Sequence, residues 1–290
     1  MAATKRAKPD VKTLGIIAGG GELPLAIAES VRSAGRDVFV LALSGAEDAL
    51  SEFPRENSGI GELGKSLSLL KQHGCEEVTF AGRVARPEWS ELKLDARGML
   101  ALPKVAAAAL RGDDALMRAM LAIFEKEGFR VVGTAEAAPD LIATVGIYGR
   151  HRPDEQAFAD IAKARDVVRH LGSLDIGQAA AVADGLVLAV EAAEGTDAML
   201  KRLTDLPKNL RGTPQKRRGV LVKAPKPAQE RRVDLPVIGL RTIELASTGG
   251  LAGVAVEAGA ALLMRKAKLI EEADRAGLFV MAFEPATASA

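Results

Sequence analysis

From Thr13 onward, short apolar runs alternate with segments whose apolar residues recur at helical spacing, and this alternation constrains the fold more than any other feature of the chain. Leu14-Gly15-Ile16-Ile17-Ala18 ends in Gly19-Gly20-Gly21 and reads as a buried strand entering a loop. Leu23 to Ala34 then has helical periodicity and stops at Gly35, a natural C-cap. Val38–Leu43 is a second strand, Ile60–Gln72 a second helix closed by Gly74, and Val78–Gly82 a third strand. Asp113 or Asp114 caps a helix through Leu116, Met120, Ile123 and Phe124, and Arg130–Thr134 follows as a fourth strand. Strands alternating with helices predict an α/β fold with a doubly wound parallel sheet.

Between Ala135 and Asp154 the periodicity weakens around Pro139 and Pro153, which places a domain boundary near residue 146. The expected units are an N-terminal domain over 1–146 and a second α/β (α+β) domain over 147–290. The second half carries a helix over about Glu155–His170 and strands at Leu186–Glu191, Val220–Lys223, Val254–Val256 and Leu278–Phe283. Pro207–Arg218 is basic and poor in apolar residues, so it reads as an exposed loop.

Composition narrows the function. The 39 Lys and Arg against 38 Asp and Glu leave a net charge of +1, so no global field draws the chain to nucleic acid or an anionic membrane. Aromatics are 3% of residues, too few for a base-stacking surface. One cysteine, Cys75, permits neither an internal disulfide nor a Cys-rich zinc site. Met1–Lys12 is basic but lacks an apolar core of signal-peptide length, and no apolar run approaches the roughly 18–20 residues of a membrane span. A cytoplasmic protein is expected.

Five segments bear chemistry. Gly19-Gly20-Gly21-Glu22 at the end of the first strand lets backbone approach an anion beside a helix N-terminus, or is simply a tight turn; it lacks the dinucleotide fingerprint and the Walker Gly-Lys-Ser/Thr. Arg83 and Arg86, after the third strand, can clamp a phosphate or be solvated. Asp113-Asp114 can hold a metal or cap a helix. Leu174-Asp175-Ile176-Gly177-Gln178 precedes Glu191-Ala192-Ala193-Glu194-Gly195-Thr196-Asp197. There Thr196 is a good N-cap able to meet phosphate, while Glu194 and Asp197 are oxygen ligands suited to Mg²⁺ or Mn²⁺, or serve capping alone. Lys223 and Lys226 enter a Pro-stiffened loop with Arg231, Arg232 and Asp234. That mixture suits phosphoryl chemistry, with cations neutralising phosphate and an Asp holding metal or orienting water, unless the loop is only solvated.

Taken in order, the glycine loop, Ala-Gly-Arg-Val-Ala-Arg-Pro, Gly-Asp-Asp-Ala-Leu, Leu-Asp-Ile-Gly-Gln, Glu-Gly-Thr-Asp-Ala-Met and Lys-Pro-x-Gln-x-x-Arg-x-Asp-Leu-Pro resemble the LpxI-type UDP-2,3-diacylglucosamine diphosphatases of lipid A biosynthesis, from about Gly15 to Phe283. The resemblance implies metal-dependent hydrolysis of the substrate pyrophosphate to UMP and 2,3-diacylglucosamine 1-phosphate. It also implies a Rossmann-like N-terminal domain, a C-terminal domain particular to the family, a lipid site between them and a homodimer. By motif, Asp234 falls on the family's essential aspartate, as catalytic group and metal ligand, with Glu194 and Asp197 as supporting acids. The substrate-binding set is then Gly19, Gly20, Gly21, Glu22, Arg83, Arg86, Gln178, Thr196, Lys223, Lys226, Arg231 and Arg232. Glu230 departs from the Asp that many relatives carry after the loop glutamine. No His lies in these motifs (the three are His73, His151 and His170), so acid–base work falls to carboxylates or metal-bound water. Acylated substrate further implies an apolar cleft between the domains and at most peripheral membrane contact.

Two other readings fit parts of the chain. An NAD-dependent oxidoreductase would need an acid closing the second strand, where Leu43-Ser44-Gly45 stands and Glu47 and Asp48 come late. A non-catalytic binder of a phosphorylated lipid or nucleotide would use the basic loop and have no need of Asp234.

Overall fold

The computed structural model describes residues 13–43, 46, 48–84, 92–227 and 229–285. They form two compact units that divide between Pro139 and Asp140. Residues between there and 146 go with the second unit because Ala143 is wholly buried in its core and Ile142 bridges to Leu262.

The first unit runs β1 (Thr13–Ala18), α1 (Leu23–Ser33), β2 (Val38–Ala42), β3 (Arg55–Asn57), α2 (Leu63–Gln72), β4 (Cys75–Ala81), α3 (Ala96–Ala109), α4 (Asp113–Lys126), β5 (Arg130–Val131) and α5 (Thr134–Ala137). Its five strands pair in the order β3-β2-β1-β4-β5, all parallel. Ile16 sits between Val40 and Thr79, and Leu14, Ile16, Val40, Leu41 and Val78 are fully buried, as strands covered on both faces require. The fourth expected strand shortens to Arg130–Val131, and Thr134 opens a helix instead. Between the third expected strand and Asp113 the sequence reading placed no element; the structure has α3 there, capped by Asp95, which accepts from the Gly98 N–H at 2.8 Å.

The second unit comprises β6 (Gly146–Tyr148), α6 (Glu155–Ser173), β7 (Ala179–Ala183), β8 (Leu186–Val190), α7 (Gly195–Arg202), β9 (Val220–Lys223), β10 (Val237–Ile238), α8 (Leu240–Thr248), β11 (Gly253–Glu257), β12 (Leu262–Leu263), α9 (Lys266–Ala276) and β13 (Phe279–Phe283). A six-stranded mixed sheet has the order β6-β13-β11-β9-β7-β8, with β13, β11 and β9 parallel and β7 antiparallel to both its neighbours. Strand alternation divides the core. Ala180, Val182, Val220, Val222, Ala255, Phe279 and Met281 face α6 residues such as Ile161, Ala164 and Val168. Ala179, Ala181, Leu221, Val254, Val256 and Val280 pack on the opposite face with Met199, Leu200, Ile243 and Leu269. A sheet sandwiched this way delivers its loops to two ends, and one end gathers most of the second unit's candidate site segments. No helix among the described residues is long and apolar enough to cross a membrane.

Candidate active site

In the first unit the strand order reverses between β1 and β4, the place where open α/β sheets leave a crevice at their carboxyl ends. Both loops of interest arrive there. Gly20 and Arg83 form an antiparallel bridge, each N–H donating to the other's carbonyl at 2.8 Å, and the Gly19 N–H donates to Ala81 O at 2.8 Å. The approach demands glycine: a Cβ on Gly19 would lie 2.4 Å from Arg83 O, and one on Gly82 2.7 Å from Gly20 O. Gly19 and Gly20 therefore join two loops, and their N–H groups are not available to an anion. What remains for one is Gly21, at φ +96, and the first turn of α1, beside the exposed Glu22 and Arg83. Arg86 lies outside the described residues. Gly112, not an aspartate, holds the N-cap position of α4, and Asp114 pairs with Arg118 one turn on.

In the second unit, β8, β9, β11 and β13 point the same way, so the segments after them and the one before β7 meet at one end of the sheet. There the Leu174–Gln178, Glu191–Asp197 and Lys223–Pro236 segments interlock. Ala224 N–H donates to Gln178 O at 3.1 Å, and Gln178 N–H to Glu191 Oε2 at 3.4 Å. Gly177 passes so close that a Cβ would fall 2.1 Å from Glu191 O. Thr196, buried in the first turn of α7, donates its hydroxyl to Glu191 Oε1 at 3.0 Å. That corrects its expected capping role: Glu194 holds the N-cap position, and the Thr196 hydroxyl is spent on a buried carboxylate. Glu194 pairs with Arg202, and its own backbone N–H followed by that cation holds its carboxyl below the usual range. Asp197 is exposed in the same helical turn.

The loop after β9 alternates cations and acceptors. Lys223 is buried at the strand end and donates from Nζ to Val237 O at 3.1 Å. Lys226 reaches Asp175 Oδ1 at 2.7 Å. Arg232 grips Glu230 through Nε and Nη2, both at 2.9 Å, and Arg231 lies 3.9 Å from Glu257. Gln229, 9% exposed, binds both ways: its Oε1 accepts from the Lys226 N–H at 2.8 Å while its amide donates to Asp234 Oδ2. Asp234 itself is exposed, its direction set by that amide and by its N–H on Glu230 O at 3.2 Å.

Among the described residues no three His, Cys, Asp or Glu gather as a metal cage, so Asp234, Glu194 and Asp197 do not share one ligand set. Mg²⁺ commonly binds through one or two carboxylates, waters and substrate phosphates, and an exposed Asp234 oriented through one oxygen fits that mode. The three histidines serve elsewhere: His73 stacks on Phe39, His151 bonds Asp274 O and His170 bonds Asp166 O.

Family models match both units, the LpxI N-terminal domain over 13–141 and the LpxI C-terminal domain over 144–281. This chain belongs to the LpxI family. A relative from Caulobacter vibrioides, UDP-2,3-diacylglucosamine pyrophosphatase LpxI, is 50% identical over 276 residues, which is 95% of this chain and 99% of the relative. Among solved structures, N5-carboxyaminoimidazole synthetase from Staphylococcus aureus is 17% identical with a TM-score of 0.22, covering 59% of this chain and 38% of its own, a likeness too slight to carry any argument.

Glu191, Gln229 and Glu257 join the candidate site although none is a site residue expected from the sequence. Glu191 closes an otherwise apolar strand, and a carboxylate there signals an internal partner, which the residue pattern alone could have raised. Glu257 carries no such signal.

Proposed function

We propose that this chain hydrolyses the pyrophosphate of UDP-2,3-diacylglucosamine to UMP and 2,3-diacylglucosamine 1-phosphate, working in the cytoplasm as a homodimer. The observation that carries this reading is the 50% identity, across 95% of the chain, to a relative named for that activity. The end of the second sheet supports it chemically. Breaking a phosphoanhydride asks for cations where charge accumulates on phosphate oxygens and for a carboxylate that orients the attacking water. Lys226, Arg231 and Arg232 supply the charge, each resting on a carboxylate that a diphosphate can replace. Such pre-paired cations stay in position without substrate, which limits the reorganisation needed on binding. Gln178 adds a buried Oε1 with no hydrogen-bond donor among the described residues. An orphan acceptor of this kind costs about 1–3 kcal/mol, and a ligand hydroxyl or N–H would relieve it.

Asp234, aimed by Gln229, orients the water or holds a divalent ion, Mg²⁺ or Mn²⁺, which when bound would neutralise phosphate charge and acidify water. Water supplies the new phosphate oxygen, and the bridging oxygen departs with the other phosphate.

Release of UMP by the purified protein tests this, run with Mg²⁺, with excess chelator and with Asp234→Ala. Metal-dependent turnover lost on substitution is expected. No turnover with any metal, from folded protein, would sink the hydrolase reading in favour of a binding protein.

A further inference from the structure

The helix α3 takes no part in the chemistry above, yet it and its C-cap leave three large apolar side chains, Met99, Leu100 and Leu110, in solvent. It packs on α2 and α4, burying Gly98 and Ala108. At about 100° per residue, Met99, Leu110, Pro103, Ala107 and Leu100 fall side by side along a single arc. All five are exposed, Met99 at 58%, Leu100 at 83% and Leu110 at 91%. The next arc along the same exposed face holds Arg111, Lys104 and Arg97, spaced seven residues apart. Residues 96–112 contain no Asp or Glu at all. Three acids flanking it are engaged: Asp95 accepts from the Gly98 and Lys65 N–H groups, Asp114 pairs with Arg118, and Glu127 takes Arg97 and Lys71. That leaves Lys104 and Arg111 as exposed charges bordering the apolar stripe.

We infer that α3 is a membrane-surface helix, its Met99–Leu100–Pro103–Ala107–Leu110 face entering the interface of an anionic bilayer while Lys104 and Arg111 meet the headgroups. Large apolar residues left in water on one face, beside a basic border, are the arrangement such a surface recognises. A second copy of the chain suits the helix less well, because a self-complementary contact needs acids to meet the basic border and this helix has none. One short helix with three large apolar residues binds weakly and reversibly, as suits a protein that must also release its surface. If the proposed hydrolysis holds, α3 brings the enzyme to the leaflet where acylated substrate resides.

The test is cosedimentation of the full chain with phosphatidylcholine vesicles, with and without phosphatidylglycerol, at low and high salt. Wild type should bind the phosphatidylglycerol vesicles and release at high salt. Lys104→Ala should weaken binding about fivefold, and Leu100→Gln with Leu110→Gln roughly tenfold or more. These side chains face solvent, so melting curves should stay unchanged, and UMP release from detergent-dispersed substrate should too. A failed vesicle assay and a failed activity assay therefore report on different claims. No vesicle binding at low salt overturns the inference, as does equal binding by the double-leucine variant. So would a wild-type oligomer that the leucine substitutions dissociate, since the face would then belong to a second copy.

Discussion

Two basic loops of the second unit, Pro207–Arg218 and Lys223–Pro236, look interchangeable in sequence and are opposite in structure. In the first, the arginines turn inward as staples. Arg211 donates to Leu206 O and Thr204 O, and Arg217 to Ser247 O, Leu251 O and Ser247 Oγ. Arg218 reaches Asn209 O as well as Asp184. Burial pulls the Arg217 guanidinium down from its usual value. In the second loop the cations lean mostly on carboxylates at the end of the sheet. A carbonyl network offers an incoming phosphate no exchange; a carboxylate pair can give way to one. Cation density alone therefore says little, and the class of acceptor separates scaffold from candidate site.

The sharpest test of that contrast is Asp234→Ala, which should cut turnover about a thousandfold or more while leaving the melting temperature near wild type, since the side chain is exposed. A melting drop with retained specific activity would erase the distinction. Next, Gln229→Ala should lower kcat about 10- to 100-fold with KM little changed, because Asp234 loses the amide that aims it; unchanged kcat would show that Asp234 needs no such support. Arg217→Ala should do the reverse. It strips donors from two carbonyls and a hydroxyl at a cost of about 2–4 kcal/mol, lowering melting by about 5–10 °C with turnover per folded molecule unchanged. The smallest effect serves as a control. Burial pushes the Cys75 thiol up to about 11, so at pH 8 about one thiol in a thousand is the reactive thiolate. Alkylation should be slow alike in wild type and Asp234→Ala, and fast labelling of the variant would attribute its lost turnover to unfolding.

Most strands were legible as fully buried apolar runs, among them Val38–Ala42, Val220–Lys223 and Phe279–Phe283. Some of the elements missed have a physical reason. Ala179–Ala183 is nearly all alanine, a helix former, and is made a strand by lying between β8 and β9. Arg55–Asn57 is a polar edge strand, and α3 carries Pro103 in its interior. Thr196 had the residue type of a cap, but a buried Glu191 five residues back took its hydroxyl.

By itself the sequence determined the class of fold, through the period of its apolar residues, and the family, through motifs kept in order along the chain. Only the tertiary structure decided what each charge does. Lys226 and Asp175 are 51 residues apart and meet at 2.7 Å because parallel and antiparallel strands deliver their loops to one end of one sheet. Arg217, six residues before Lys223, enters from the other end of β9 and finds carbonyls instead. Period is a local property that residues carry with them; a partner is a distance, and distance between remote residues exists only once the sheet has closed.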